Sequence, residues 1–151
     1  MGKFTRQEIE DAFKAYQQAG VTAGQTGDWS AWADVFTPDA TYLEHGYGRF
    51  NGREEIRAWI SKTMSRYPGN KMPHFPVEWY VVDEERDRVV AYIQNRMEDP
   101  GDGSIHQSPN VTILQYAGDG LWSSEEDVYN PSNFVPMLEG WQQRVKELSA
   151  D

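Results

Sequence analysis

The apolar residues change their period once along the chain, near Ala40, and that change constrains the fold more than any other feature. Before it they recur at helical spacing. Thr5-Arg6-Gln7-Glu8 fits a capping box, in which hydroxyl and carboxylate satisfy backbone N–H groups reciprocally, and Ile9, Phe13, Tyr16 and Gly20 then share one face. Gly24 and Gly27 are expected to interrupt this helix. Asp28 is expected to cap a short second one with Trp29, Trp32, Ala33 and Phe36 inward, before a turn at Thr37-Pro38-Asp39. From Ala40 to His45 the period is two: Thr41, Leu43 and His45 fall on one face, Tyr42 and Glu44 on the other. A third helix is predicted from near Asn51, where Asn51 and Glu54 repeat the capping logic, with Ile56, Trp59, Ile60 and Thr63 buried. It stops before Tyr67-Pro68-Gly69-Asn70.

Beyond that point the chain reads as β almost throughout. Val77, Trp79 and Val81 alternate, a charged turn follows over Asp83 to Asp87, and a strand runs from Val89 to Met97. Pro100-Gly101-Asp102-Gly103 and Ala117-Gly118-Asp119-Gly120 are turn signals that bracket a long strand, Ile105 to Tyr116; another strand covers Leu121 to Tyr129. Phe134, Leu138, Trp141, Val145 and Leu148 return to helical spacing. Helices first and a meander afterwards predict an α+β fold, with helices covering one face of a curved sheet. The 151 residues hold no repeat and no long linker, so one domain over 1–151 is expected.

Composition narrows the chemistry. Cysteine is absent, which removes disulfides, thiolate nucleophiles and Cys-ligated metals. The net charge of −10 repels phosphate backbones and anionic lipids, so neither nucleic acid nor a membrane is the expected partner. No apolar run approaches the roughly 20 residues that span a bilayer and no apolar signal core opens the sequence, so a cytoplasmic protein is expected. The glycines Gly46, Gly48 and Gly52 are spaced one residue too widely for a dinucleotide loop and lack the following βαβ unit. No H-x-x-x-H or H-x-H pair fixes a metal and no G-x-S-x-G elbow presents a serine, so neither metal nor cofactor is expected.

Three histidines and one acidic strand remain. His74 lies between prolines and reads as a loop residue. His106 opens the long strand, and alternation places Ser108, Asn110 and Thr112 on its face, although Pro109 marks an edge or bulge that could flip the parity. In the last strand Glu125, Asp127 and Tyr129 share one face, Ser124, Glu126 and Val128 the other. If the first face meets the helices, two carboxyls and a phenol enter a partly apolar cavity, and burial raises carboxyl pKa values toward those of a general acid or base.

Gly27-Asp28-Trp29, Phe36 to Tyr42, Glu44-His45, Gly52 to Ile56, Trp59-Ile60 and Glu125 to Pro131 together resemble the SnoaL-like branch of the nuclear transport factor 2-like superfamily. The resemblance implies a cone: a curved antiparallel (mixed) sheet wrapped around N-terminal helices and a deep pocket. It also implies that His45 is a pocket-facing proton acceptor, where ketosteroid isomerases place an Asp base. Thr112 stands where they keep a protonated Asp, and Tyr16 is a loose substitute for their oxyanion Tyr, whose own position matches Gly20. Asp127 resembles a catalytic Asp of the epoxide hydrolases, with Arg96 a candidate charged neighbour.

Two readings follow. The first is an acid–base enzyme without a cofactor, an isomerase, dehydratase, cyclase or epoxide hydrolase for a small, largely apolar, oxygenated substrate. In it His45 moves the proton, Asp127 orients or partners it, His106, Asn110 and Thr112 donate to an oxyanion, and Tyr16, Trp32, Trp59 and Tyr129 line the pocket. The second is a non-catalytic module that binds a small hydrophobic molecule in the same pocket or dimerises through the open sheet face. A homodimer is expected on either reading.

Overall fold

The computed structural model describes residues 1–150. Helix α1 spans Arg6–Thr26, with the Thr5 hydroxyl accepting the Glu8 N–H at 3.1 Å as the sequence predicts. It does not break at Gly24. It ends at Gly27, whose φ of 78° lets its N–H return to the Ala23 carbonyl. Gly24 has another use: the carbonyl of Pro73 packs against it in the space a Cβ would fill. Helix α2 (Trp29–Trp32) is capped by the Asp28 carboxylate and leads through one 3₁₀ turn into strand β1, Phe36–Glu44.

Thr37-Pro38-Asp39 is therefore inside a strand, not a turn. The proline is tolerated because the ladder to the last strand shifts register between Phe36 and Thr41, and pairing with β2 starts only at Thr41. Strand β2 (Gly48–Asn51), four residues long, carries no alternation that reveals it in the sequence. Helix α3 spans Arg53–Met64 and is entered from Gly52, at φ 92°, rather than capped by Asn51. The Asn51 N–H instead meets the Glu55 carboxylate.

The remaining elements are β3 (Val77–Asp83), β4 (Arg88–Arg96), β5 (Gln107–Gly118), β6 (Leu121–Val128) and α4 (Phe134–Ser149). The sheet order is β2-β1-β6-β5-β4-β3, with β1 and β6 parallel and every other pair antiparallel, so the sheet is mixed and open. Register shifts in the β3–β4, β5–β6 and β1–β6 ladders mark bulges that bend it. Pro109 does not flip β5: it stays paired with Gln94 on β4, while the β6 ladder begins two residues later at Val111.

Helices α1 to α3 fill the concave face. Ile9, Phe13, Phe36, Ile56, Leu114 and Trp122 are all but fully buried there, and a smaller cluster of Met72, Met97, Met137 and Trp141 lies beneath α4. The convex face stays open, with Trp79 stacked on Tyr92 at 5.5 Å and Val81 half exposed. No helix among the described residues is long and apolar enough to cross a membrane.

Two glycines of α1 provide a test of this packing. Replacing helix-interior Gly by Ala stabilises by about 1 kcal/mol where the methyl meets nothing. Gly20, with open space around its missing Cβ, is such a position. Gly20→Ala is expected to raise the urea midpoint, and Gly24→Ala to lower it by the equivalent of about 1–3 kcal/mol because its methyl overlaps Pro73.

Candidate functional site

The parallel pairing of β1 with β6 places Tyr42 beside Glu125 and Glu44 beside Asp127. The antiparallel pairing of β5 with β6 places Thr112 opposite Asp127. All five side chains point into the concave face, together with Asn110 and, from β4, Asn95. Above them lies a cavity of about 860 Å³ whose walls include Tyr16, Trp32, Trp59 and Tyr129. This is a size that suits a small organic ligand.

The polar groups at the sheet form one chain of hydrogen bonds. Tyr16 donates to Oε1 of Glu125 at 2.7 Å, and the Tyr42 hydroxyl lies 2.5 Å from Oε2 of the same carboxyl. The Tyr42 hydroxyl also touches Oδ2 of Asp127. On the far side Asn95 donates to Asn110 at 2.9 Å, Asn110 to Thr112 at 2.8 Å, and Thr112 to Oδ1 of Asp127 at 2.8 Å.

Counting protons fixes the direction of this chain. A phenol brings one proton, and Tyr42 sits between two carboxyl oxygens, so the second contact needs a proton from a carboxyl. Glu125, 3% exposed and more deeply buried than Asp127, holds it and donates to the Tyr42 oxygen, although the bond it accepts from Tyr16 pulls the other way. Tyr42 then donates to Asp127. Thr112, accepting from Asn110, must also donate to Asp127. Donors converge from both sides on one carboxylate.

Electrostatics agree with that count. Burial, and next the neighbouring Asp127 charge, push Glu125 well above the usual carboxyl range. Burial also raises Asp127, but the neighbouring Glu125 carboxyl and hydrogen bonds from Tyr42 and Thr112 stabilise its charged form and oppose the rise. Tyr16 and Tyr42 are held as neutral phenols, first by burial and then by the carboxyls beside them. Glu44, 7% exposed, is a third carboxyl at this surface. Burial raises it, and the N–H of Gly46 at 2.5 Å and the Tyr129 hydroxyl at 2.7 Å pull the other way. Among the described residues no ion pair reaches Glu44, Glu125 or Asp127, and no group of three or more His, Asp or Glu side chains is arranged to hold a metal.

Residues 17–125 match the model of the SnoaL-like domain. The chain belongs to the SnoaL-like family. No curated protein matches its sequence. Among solved structures it is similar to a protein of ketosteroid isomerase-like fold from Catenulispora acidiphila, in complex with trimethylamine, at 22% identity over 81% of this chain and 90% of that one, with a TM-score of 0.64. It is also similar to an LEH-like epoxide hydrolase of M. tuberculosis, at 14% identity over 95% of this chain and 93% of that one, with a TM-score of 0.67. At such identities the likeness establishes the cone-shaped SnoaL-like fold and nothing finer.

Within this SnoaL-like cone the residues singled out in the sequence separate into two groups. Asp127, Tyr16, Trp32, Trp59, Asn110, Thr112 and Tyr129 all line the cavity. The two histidines expected beside them do not. His45 lies on the convex face, where its Nε2 is 2.7 Å from the Glu126 carboxylate and both side chains are more than a third exposed. Alternation separates His45 from Glu44 correctly, but the inward face is that of Ala40, Tyr42 and Glu44, because the Tyr42 ring packs against Trp32, Phe36 and Trp59 in the core. His106 precedes β5, bonds to the Ser104 hydroxyl at 3.0 Å and rests against Gly140 of α4. Arg96 borders the cavity, with its Nε bound to Gln107.

Glu44, Tyr42, Glu125 and Asn95 are members of the polar network at the cavity that sequence reasoning left out of the candidate set. A signal existed for Glu125, which shares Asp127's parity, and for Tyr42, an aromatic on the parity of Ala40.

The raised Glu125 carboxyl has a measurable consequence. In the unfolded chain a Glu titrates near 4.3. Above that pH the folded protein keeps a proton the unfolded one has lost, so this residue's contribution to stability falls as pH rises toward its folded pKa. The stability difference between wild type and Glu125→Gln is expected to shrink by up to about 1.4 kcal/mol per pH unit in that window. Denaturation curves that run parallel across it would contradict the assignment.

Proposed function

We propose that this SnoaL-like protein is a cofactor-independent acid–base enzyme for a small, largely apolar, oxygenated substrate, with Asp127 rather than a histidine as the proton acceptor. The observation that carries the reading is the carboxyl pair, buried Glu125 and half-buried Asp127, joined by the Tyr42 hydroxyl at the wall of an aromatic-lined cavity. Two carboxyls held this close cannot both ionise easily, so one serves as acid and the other as base. Asp127 takes a proton from the substrate. The C–H or O–H electron pair left behind moves toward the substrate's oxygen, and a proton is returned there or to a neighbouring carbon from the same network.

Glu125 and Tyr42 set how strongly Asp127 holds that proton. Tyr42 is a positioning residue, since its hydroxyl is wholly engaged between the two carboxyls. Asn110 donates one amide N–H to Thr112 and has a second with which to meet a developing oxyanion. Trp32 and Trp59 supply apolar wall and exclude water. The family's range, from isomerases to epoxide hydrolases, is compatible with this machinery and selects no single reaction.

The test is turnover of epoxides, enones and hydroxyketones by wild type, Asp127→Asn and His45→Ala. For a substrate that is turned over, Asp127→Asn is expected to lower kcat by about 10²–10⁴-fold, the contribution of a general base. His45→Ala, on the exposed face, is expected to leave it unchanged. Full activity in Asp127→Asn refutes the proposal. Tight binding of such molecules with no turnover favours the non-catalytic binding module.

A further inference from the structure

The carboxyl surface lacks a counter-charge on the cavity side of the sheet. Asp127 and Glu44 are adjacent across the β1–β6 ladder, both face the cavity, and neither meets a Lys, Arg or His in an ion pair among the described residues. The cations that do border the cavity are distant. Arg96 pairs with Gln107, five positions along β5 from the Thr112 that faces Asp127, which is roughly 16 Å at a strand's rise per residue. His74 lies beside Arg96 through a backbone bridge. A buried carboxylate with no cation is costly, and here the deficit faces the cavity rather than packed protein.

What surrounds that deficit is aromatic. The Trp59 ring lies 5.0 Å from Tyr42 and 5.8 Å from Tyr47, and the Tyr129 hydroxyl is bound to Glu44 itself. Trp32 and Tyr16 continue the wall. Indole and phenol faces carry negative quadrupole potential and attract an organic cation, most strongly when the seat is dry. A neutral ligand gains nothing from this arrangement that a plainly apolar wall would not give it. The whole chain, at a net charge of −10, adds a field of the same sign.

We propose that the ligand of this cavity carries an alkylated ammonium group, seated between Asp127 and Glu44 against Trp59 and Tyr129. The inference rests on the reading of this cavity as the substrate site and narrows its substrate class to amino-ketones, amino-alcohols or amino-epoxides. The ammonium lies at the acidic end, and the oxygen of the same molecule remains beside Asp127 and Asn110 for the chemistry. Glu44 then binds charge and takes no part in proton transfer.

Two probes of the same shape decide it: choline, and its neutral isostere 3,3-dimethyl-1-butanol. Binding to the full-length protein is read by calorimetry and by fluorescence of the cavity tryptophans. Choline is expected to bind at least tenfold tighter than the neutral probe. Glu44→Gln, which keeps an acceptor for the Gly46 N–H and a polar partner for Tyr129, is expected to shrink that preference severalfold while its circular dichroism stays that of wild type. Equal affinity for the two probes, preference for the neutral one, binding of neither, or an unchanged preference in a folded Glu44→Gln overturns the proposal. The acid–base reading fails separately, through activity that survives Asp127→Asn, so the two claims cannot be lost by the same result.

Discussion

A single phenol hydroxyl, that of Tyr42, lies between two carboxyl groups on the neighbouring strand, and the polar half of the concave face is organised around it. Its one proton obliges a carboxyl to supply another, which makes the pair unequal. On the proposed acid–base reading, that inequality is what separates two acidic residues into an acid and a base. It depends on the parallel β1–β6 pairing, because only that register sets Tyr42 level with Glu125 and Glu44 level with Asp127. It also depends on depth: Tyr42 is 3% exposed and Thr112 is 2%, so water does not compete for these bonds.

The apolar part of the structure makes that depth possible. Tyr42 contacts Trp32, Phe36 and Trp59, residues from α2, β1 and α3, so three elements of the chain meet on the ring that carries the hydroxyl. Tyr16, which packs edge-on against Trp122, covers Glu125 from the helix side. The cost of burying the carboxyls is offset by hydrogen bonds from two tyrosines and a threonine, and what remains uncompensated faces the cavity. A rigid wall with an unequal carboxyl pair at its base is a site held ready before any ligand arrives.

Much of this was legible in the sequence, and the failures have specific causes. The change of period at Ala40 and the order of elements were enough for an α+β fold with helices on one face of a curved sheet, since helical and alternating patterns bury different faces; the cone itself was implied by the resemblance to the SnoaL-like family. Alternation also put Glu125 and Asp127 on one side of β6, with Tyr129 just beyond its end, and Asn110 with Thr112 on one side of β5. What alternation does not contain is which side is inward. For β1 that was decided by the packing of the Tyr42 ring, a tertiary fact, and it carried Glu44 in and His45 out. The buried polar group at the end of β1 is Glu44, and the histidine after it faces the opposite side. Short β2, and Pro38 inside β1, were invisible because each rests on a neighbour's register and not on its own residues.

The most direct test of the unequal carboxyl pair is a ¹³C NMR pH titration of the side-chain carboxyl carbons of Glu125 and Asp127, assigned with Glu125→Gln and Asp127→Asn. The account predicts two separated steps, with one proton still held by the pair at neutral pH and residing on Glu125. If both carboxyls ionise together near the ordinary value of about 4, the shared-proton arrangement does not exist and the acid–base reading falls with it.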